Sequence, residues 1–363
     1  MATTYRYLFA DLLTNEIIGE LPITSVAFNQ QLNQAGTFQA HLLLSGVNSA
    51  ALNVDASTTP GRTAIYVDRN GSLVWGGVIW GREYDSASQT LKISAREFES
   101  YFERRRITAD VSFTNIDQLT VAQSLFNTAQ AAPFGNIGVQ VGTETSGVLV
   151  TRIYYGYELK QVYAAVQDLS RALNGFDFNI RVSYASGIPT KTLVMGYPRI
   201  GTVYSVNNPS APVFNFPAGN IVEYSYPEDG TIAANTVYAI GAGSNEGKLI
   251  ATATDATKTA TGWALLEDQA NYSDITDATL LSNLASGTVQ NISYPPTTIR
   301  VVVPAYQDPQ FGTYSIGDDA RLIITDNRFP NTLDEIYRIV GLNVQPGEAG
   351  PERVTITLTN TSN

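Results

Sequence analysis

Short runs in which apolar and polar residues alternate dominate the first hundred residues of the chain. The clearest runs contain Tyr5, Tyr7 and Phe9, then Val26 and Phe28, then Phe38, Ala40, Leu42 and Leu44. A period of two places every second side chain on the same face of a sheet, so these runs predict half-buried β-strands. Asn70-Gly71 separates two further runs and predicts a two-residue hairpin, because both turn positions need a positive φ. About five to seven short antiparallel strands of this kind usually close into a barrel or a sandwich.

A different periodicity governs residues 107–198. Apolar residues recur at helical spacing over 119–129 and again over 159–173, and the second run stops at Asn174-Gly175, which is a good helix end. The stretch 176–182 then alternates cleanly. We therefore predict an α+β insertion, in which helices are followed by a hairpin.

A short helix is predicted where the first β region ends. Ser94 and Glu97 have the spacing of a capping box, and residues 98–102 would form the helix that follows. Arg104-Arg105-Arg106 would then lie beside the negative end of the helix dipole. A contact of this basic run with an acidic partner is the alternative.

The β pattern resumes after a proline-rich, loop-like stretch at 199–217. Alternating runs predict strands at 222–226, 236–240, 248–254, 298–303, 320–325, 336–344 and 353–358, with one helix near 276–286. The chain is thus predicted to be mainly β with an α+β insertion. The expected domains are a first β-barrel with a short closing helix (1–106), the insertion (107–198) and a second β-rich domain (199–363).

The two β regions contain a faint internal repeat. Residues 61–68 resemble residues 317–326 once two residues are inserted. A turn, an Ile-x-Gly strand and a last alternating strand follow each copy, and the Ile-x-Gly strands contain Ile79-Trp80-Gly81 and Ile339-Val340-Gly341. An internal duplication explains this pattern, and chance similarity between β-hairpins is the alternative.

The composition excludes several kinds of chemistry. The chain has no cysteine and one histidine, so a disulfide scaffold and any cysteine-based metal, iron–sulfur or nucleophile site are excluded. Only 15% of the residues are charged, against about 25% in an ordinary soluble domain. A polar surface built from Thr, Ser, Asn and Gln suits a protein that buries much surface against partners. We expect no cofactor, no metal and no catalytic residue.

Motifs that resemble catalytic or phosphate sites fail on their spacing. His41 lies on the polar side of its strand, and the chain has no Gly-x-Ser-x-Gly nucleophile elbow. Five residues separate Gly241 from Gly247, and Leu249 occupies the position at which a P-loop needs a hydroxyl. Residues 241–249 are therefore predicted to form a glycine-rich turn.

Acidic and aromatic residues offer two further candidate sites. Adjacent acids occur at Glu228-Asp229, Glu267-Asp268 and Asp318-Asp319. Neighbours on a strand point to opposite faces, so no such pair can supply both carboxylates of a glycosidase, although distant carboxylates could still meet. Asp318-Asp319 most simply forms a hairpin turn, and calcium-loop spacing is absent there and at 68–71. Trp75, Trp80 and the 20 tyrosines could form a sugar platform, but on alternating strands they favour core and interface positions.

No targeting or membrane segment is expected. Residues 1–6 lead directly into strand-like sequence, and no stretch approaches about 18 uninterrupted apolar residues. The formal net charge of −11 argues against sequence-independent binding to phosphate backbones.

Several stretches of the chain resemble a known family. They are Tyr7-Leu-Phe-Ala-Asp-Leu-Leu, Ser25-Val-Ala-Phe-Asn-Gln-Gln-Leu-Asn with Gly36-Thr-Phe, Leu73-Val-Trp-Gly-Gly-Val-Ile with Ala95-Arg-Glu, Ala234-Asn-Thr-Val-Tyr-Ala-Ile-Gly, Tyr314-Ser-Ile-Gly-Asp and Tyr337-Arg-Ile-Val-Gly-Leu. Together they resemble the tail-tip hub proteins of long-tailed bacteriophages, often described as minor tail or tail-associated proteins. These are related in fold to the baseplate hub of contractile tails and to the spike base of injection machines. Residues 107–198 match in layout rather than in sequence.

The resemblance implies a fold and a function. Such hubs contain two similar antiparallel β-barrels plus an α+β insertion, and three copies form a ring that presents six near-equivalent units to a sixfold tail tube. The expected function is that of a structural virion protein, a trimeric tail-tip (baseplate) hub that caps the tube and gates DNA passage. It is not expected to be an enzyme.

The resemblance also implies partners and a location. The expected partners are two further copies, the distal tail and tail tube proteins, central fibre or spike proteins and the tape measure protein. DNA would pass through the lumen without specific binding, and an acidic lumen would favour this because like charges repel. The protein would be made in the host cytoplasm and reside in the virion, at the tail tip.

The sequence leaves two alternative functions open and predicts one interface. A cell-wall hydrolase that uses two distant carboxylates is the alternative function, and a sugar-binding module that uses Trp75, Trp80 or Trp263 is the third. From the internal repeat we predict that the tube-facing interface lies on the hairpins near Asn70-Gly71 and Asp326-Asn327, with Trp75 beside the first of them.

Overall fold

The structure is a computed structural model that describes residues 3–45, 52–208, 210–293, 298–347 and 350–360. Its strands are β1 (Tyr5–Asp11), β2 (Ile17–Glu20), β3 (Thr24–Gln31), β4 (Thr37–Leu43), β5 (Thr63–Arg69), β6 (Ser72–Asp85), β7 (Thr90–Glu97), β8 (Val111–Asp117), β9 (Val139–Val141), β10 (Leu149–Tyr154), β11 (Asp177–Ala185), β12 (Ile188–Gly196), β13 (Val213–Phe216), β14 (Glu223–Ser225), β15 (Thr236–Ile240), β16 (Ile250–Thr254), β17 (Glu267–Asn271), β18 (Ile299–Pro304), β19 (Asp319–Ile324), β20 (Leu333–Gln345) and β21 (Arg353–Asn360). Its helices are α1 (Val54–Ser57), α2 (Glu99–Phe102), α3 (Gln118–Ala131), α4 (Val162–Ser170), α5 (Ala256–Ala260) and α6 (Ala278–Ile292). The predicted three-domain division stays a prediction, and its ends, Met1 and Asn363, lie outside the described residues.

The predicted β-hairpin at Asn70-Gly71 is confirmed. The φ angles are 53° at Asn70 and 83° at Gly71, and β5 pairs antiparallel with β6 across this turn. Both residues adopt left-handed backbone conformations, which asparagine and glycine tolerate best.

The elements of the insertion are also confirmed, with different bounds for its second helix. Asp117 caps the first helix, α3, by accepting hydrogen bonds from the backbone N–H groups of Leu119 and Thr120. The second helix, α4, covers only the middle of the predicted run 159–173, because Leu159 adopts a left-handed φ of 49° that a helix cannot accommodate. The hairpin that follows consists of β11 and β12.

The predicted capping box at Ser94 and Glu97 is wrong. β7 continues through Glu97, and α2 begins at Glu99 without a side-chain cap. Ser94 remains in the sheet opposite Gly81, and its hydroxyl donates to the Gly81 carbonyl. Burial explains this outcome, because Glu97 continues the inward phase of β7 and its carboxylate reaches the backbone of Gly36.

The basic run beyond α2 contacts groups of the same chain. The Arg104 guanidinium lies 5.8 Å from the centre of the Trp80 ring, and Arg105 donates to the Ala129 carbonyl. Arg106 donates to the carbonyl of Glu103. The run therefore helps to hold α2 in place, whereas its contact with an acidic partner stays a prediction.

The two β regions share one 13-stranded sheet. In the first region the order is β3-β4-β7-β6-β5-β1, and in the second it is β14-β18-β21-β20-β19-β13. The same order recurs with the strands in the same chain sequence, so each region forms a comparable six-strand unit. One pairing differs, because β1 is antiparallel to β5 whereas β13 is parallel to β19.

A shared irregularity supports the internal repeat. The β6–β7 register shifts between Ile79 and Gly81, and the β20–β21 register shifts between Ile339 and Gly341. The Ile-x-Gly motif therefore marks a β-bulge at the same place in both units. Bulges bend and twist a strand, so the motif gives both units the same local curvature.

The two separate barrels expected from the sequence are not confirmed. Within the described residues the strands of both units belong to one sheet, and their pairings close no ring. The 13-residue strand β20 explains the fusion of the two units. Residues 333–338 of β20 pair with β19, which leaves residues 341–344 free to pair with β3.

Two cores lie on opposite sides of the first unit. Tyr7 and Phe9 of β1 face a core shared by both six-strand units, whereas Leu8 and Ala10 face a second core shared with the insertion. The central strands of the first unit are therefore buried on both faces, which explains the uninterrupted burial of β5 from Thr63 to Asp68. The insertion thus packs against the back of the first unit.

A buried carboxylate connects the insertion to both six-strand units. Asp177, at the start of β11, accepts a hydrogen bond from Asn33 of the β3–β4 turn and one from the backbone of Ile200, each at 3.0 Å. Arg338 of β20 forms an ion pair with the same carboxylate. Arg199 and Asp319 form a second ion pair nearby, between the 197–202 segment and β19.

Replacing Asp177 tests this junction. We expect Asp177→Ala to lower the free energy of unfolding by about 3 kcal/mol, because it leaves the buried Arg338 guanidinium without its counter-ion. Urea denaturation followed by circular dichroism measures the loss. The exposed Asp229→Ala serves as the control and should change stability little.

A double variant separates the charge effect from lost packing. Asp177→Ala/Arg338→Met should lose clearly less than the sum of the two single variants, because neither charge is then left unpaired. Additive losses would show that the ion pair does not hold the junction together.

Candidate functional site

The two hairpins predicted as an interface are built in a similar way. At the first, Asp68 accepts a hydrogen bond from the Gly71 N–H, and its other oxygen accepts one from the Tyr184 hydroxyl. At the second, Asp326 accepts from the N–H groups of Arg328 and Phe329, and Tyr224 donates its hydroxyl to the other oxygen. Each turn is therefore held by an aspartate and by a tyrosine from a different segment.

The predicted interface residues differ in how far they are buried. Asn70, Gly71 and Asn327 are exposed, and Asp326 is half-buried. Trp75 is fully buried, and its indole N–H donates to the Asn29 carbonyl at 2.9 Å. Including Trp75 in the interface was wrong, because its side chain fills the shared core between Phe28 and Phe38. Contact of the other four residues with a tail tube stays a prediction.

An open cleft of about 660 Å³ adjoins the first hairpin. Gly71 lines one side, the edge strand β2 lines another, and the tip of the β11–β12 hairpin at Gly187 closes the third. Ile17 and Ile188 are exposed at its margin. The first hairpin therefore lies in a concave, partly apolar surface, which is a common setting for protein contacts.

The residues that could have formed a catalytic, phosphate-binding or sugar-binding site lie apart from one another. His41 is exposed in β4 opposite Lys92, so it has the polar position that the sequence predicts. Residues 241–249 form the predicted glycine-rich turn, in which the backbones of Gly241 and Leu249 pair between β15 and β16. Trp80 donates to the Ser100 hydroxyl, and Trp263 lies in a different part of the chain, over the Lys258 ammonium group.

The adjacent acids have structural contacts. Asp318 accepts from the backbone N–H groups of Thr202 and Ser315, and Asp319 is paired with Arg199. Asp318 follows a turn at residues 316–317 and Asp319 is the first residue of β19, so the pair does not form the predicted hairpin turn. Glu267 and Asp268 lie on β17 and are exposed.

Sequence reasoning missed a pair of buried acids, Glu97 and Glu99. Glu97 accepts hydrogen bonds from the backbone of Gly36 and from Gln30. Glu99 accepts one from the backbone of Ile180, and its second oxygen is buried with no hydrogen-bond partner. The pair therefore ties β7 and α2 both to the β3–β4 turn and to β11. The inward phase of Leu91, Ile93 and Ala95 continues to Glu97 and was the available signal.

Burial shifts both acids toward the protonated form. It raises the pKa of Glu99 to about 7, although hydrogen bonds from Ile180 and Asn179 and the charge of Arg96 oppose the shift. Burial also raises the pKa of Glu97 well above its ordinary value, and the neighbouring charge of Glu99 adds to the effect. Glu97 lines a cavity of about 260 Å³, but Glu99 is not among the residues that line it, so the two carboxyls do not face each other across a cleft as glycosidase chemistry requires. We therefore assign them a structural role.

In the described part of the chain, no group of three or more His, Cys, Asp or Glu side chains is placed to hold a metal ion. Among the same residues, no helix combines the length and the apolar character that crossing a membrane requires.

The fold is that of phage tail proteins. A tail protein from Neisseria meningitidis MC58 superposes with a TM-score of 0.64 at 11% sequence identity, over 99% of this chain and 97% of its own. The 43 kDa tail protein of prophage MuSo2 from Shewanella oneidensis gives a TM-score of 0.60 at 14% identity, over 99% of both chains. A chain of the Francisella PdpA–VgrG complex gives 0.55 at 8% identity, over 100% of this chain and 59% of its own.

No protein-family model and no curated protein sequence matches the chain. The resemblance to tail-tip hub proteins is thus confirmed as a likeness of fold that extends over the whole chain.

The buried acids predict an unusual dependence of stability on pH. The folded protein binds more protons than the unfolded chain between the ordinary glutamate pKa of 4.5 and the Glu99 pKa of about 7. Stability should therefore fall as the pH rises through this window, by about 3 kcal/mol from Glu99. Urea denaturation at pH 5, 6, 7 and 8 measures it.

Two variants identify the source of this effect. Glu99→Gln should flatten the decline, because the side chain can no longer ionise, whereas Glu83→Gln on the exposed part of β6 should leave it unchanged. Parallel profiles for the wild type and Glu99→Gln would contradict the assignment.

Proposed function

We propose that this chain is a structural component of a phage-type tail tip and not an enzyme. The observation that carries the proposal is the pair of six-strand units within a fold shared with tail proteins. Support for a non-enzymatic role comes from the polar residues themselves. The best buried candidates, Glu97, Glu99 and Asp177, serve as tethers between segments.

The finer proposal is a trimeric hub that caps the tail tube. A ring of three chains with two comparable units each presents six units to a sixfold tube, while its far side keeps threefold symmetry for a fibre or spike. The low charge of the chain supports extensive permanent contacts, because charged residues are depleted at interface cores.

The proposed partners follow from this position. They are two further copies, the distal tail and tail tube proteins, a central fibre or spike and the tape measure protein. Each six-strand unit would correspond to one of the two similar β-barrels that the resemblance to tail hub proteins implies. DNA would pass through the lumen when the hub opens, and acidic lumen-facing side chains would keep it from adhering.

Native mass spectrometry of the purified chain, alone and with its tail proteins, tests the hub. We expect a three-chain species that binds the tube or distal tail protein, and cryo-electron microscopy of the complex should show threefold symmetry. A strictly monomeric chain that associates with no tail protein would refute the proposal. Lysis of host cell wall by the isolated chain in a zymogram would favour the hydrolase instead.

Large side chains placed at the tips of the two hairpins test the proposal that these hairpins face the tube. Asn70→Arg/Asn327→Arg should reduce the amount of chain found in purified particles about tenfold or more, because large charged groups disrupt a packed interface. Quantitative mass spectrometry of the particles measures it.

A matched double variant controls for backbone strain and for the added positive charge. Asn115→Arg/Asn136→Arg changes two exposed positions elsewhere, and Asn115 has a φ of 56°, close to the 53° of Asn70. Equal incorporation of both double variants would place the tube interface away from the hairpins.

A further inference from the structure

A small α/β layer projects from the second unit between β14 and β18. Its sheet has the order β16-β15-β17, and α6 packs against β15 and β16. Within the described chain β17 pairs with β15 alone, and four of its five residues are exposed. One edge of β17 and much of its surface therefore lack a covering element.

Apolar side chains surround this uncovered strand. Trp263, Leu265 and Leu266 lie immediately before it and are 42%, 60% and 36% exposed. Tyr238 of β15 lies beside it on the face away from α6. We call Tyr238, Trp263, Leu265, Leu266, Glu267 and Asp268 the β17 patch. An open strand edge bordered by consecutive exposed apolar residues is a typical protein-binding surface.

The patch is held in place by neighbouring residues. The Lys258 ammonium group lies 3.9 Å from the centre of the Trp263 ring, and the Tyr238 hydroxyl donates to the Glu267 carboxylate at 2.6 Å. Such contacts reduce the entropy lost on binding, because the side chains are already ordered.

The layer itself is anchored to the insertion. Arg152 and Lys160 both form ion pairs with Asp274, which lies between β17 and α6. Burial alone would raise the pKa of Asp274, but these two cations hold it below its ordinary value. Gly287 of α6 approaches the Arg171 carbonyl so closely that a Cβ would lie 2.2 Å from that oxygen. The inner side of the layer is therefore fixed, and the β17 patch faces outward.

Charge decides between the possible occupants of the patch. Residues 227–293 contain eight acidic and only two basic side chains. Residues 199–363 as a whole contain 17 acidic and 8 basic side chains, whereas residues 1–198 contain 16 and 14. Neither residues 1–198 nor residues 199–363 carry a net positive charge, so a second copy as a whole would bring more negative charge to an acidic surface.

We propose that the β17 patch binds a different protein of the particle, one that presents apolar side chains flanked by lysine or arginine. The apolar residues of the patch supply the buried area. Glu267, on the face of the sheet that carries Tyr238, and Asp268, on the opposite face, flank the free edge of β17 and select a cationic partner. The free edge of β17 is also available to an extended segment of that partner. This inference rests on the proposed function, because it assumes that the chain is built into a particle.

Carboxyl footprinting of purified particles tests the patch. Carbodiimide and glycine ethyl ester label exposed carboxylates, and we expect Glu267 and Asp268 to be labelled at least tenfold less in particles than in the isolated chain. The same carbodiimide without the ester couples touching carboxylates and amines, so mass spectrometry should find either acid joined to a lysine of another protein. Equal labelling in both samples would overturn the inference, and a link to a lysine of a second copy would overturn the choice of partner.

Charge reversal provides an independent readout that also covers an arginine-rich partner. Glu267→Lys/Asp268→Lys should lose at least tenfold in affinity, by isothermal titration, for one of the purified structural proteins of the particle. Glu16→Lys/Glu144→Lys makes the same change in net charge at exposed positions elsewhere and should bind normally. Unchanged binding of the first double variant to all of these proteins would refute the patch, provided that its melting temperature matches the wild type.

Failure of the proposed function and failure of this inference give different experimental results. Absence of the chain from purified particles refutes the proposed function and, with it, this inference. A chain that is present in particles with a fully labelled β17 patch refutes the inference alone.

Discussion

The ion pair between Asp177 and Arg338 is the contact on which the arrangement of the chain depends. It joins β11 of the insertion to β20 of the second six-strand unit, and Asn33 of the first unit binds the same carboxylate. A buried charge is costly unless it is paired, so the carboxylate is satisfied only when all three segments meet there. Packing against two cores then stabilises an arrangement that this polar contact specifies.

The repeated six-strand unit connects the fold to the proposed function. Both units have the same strand order, a bulge at an Ile-x-Gly motif and a turn aspartate that binds a tyrosine. A chain with two comparable units can meet a sixfold partner with three copies, which a chain with one unit cannot do. Elements outside the repeat, such as the layer that carries the β17 patch, can bind partners that do not have sixfold symmetry.

Local patterns predicted much of the secondary structure, and the errors have physical causes. The Asn70-Gly71 hairpin, α3 and the β11–β12 hairpin were recognised because their signals act between near neighbours. β13 was missed in a stretch predicted as a loop, because it is a short strand that pairs with the distant β19. Trp75 was predicted at an interface because aromatic residues are common there, but it fills the core. Contact of the other predicted interface residues with a tail tube stays a prediction.

Local patterns in the sequence were enough to predict the mainly β character, the helices and hairpin of the insertion and the turns, because alternation, helical spacing and left-handed turn residues act between near neighbours. They also indicated the internal repeat, which the strand order of the two units then supported. Only the tertiary structure shows that the two units share one sheet, that Glu97 enters the core and that one edge of β17 is uncovered within the described residues. Those outcomes depend on which distant segments supply a hydrogen-bonding edge, a counter-ion or a covering layer. Asp177 and Arg338, 161 residues apart, illustrate the reason. No local pattern specifies that they meet, and yet the burial of each requires the other.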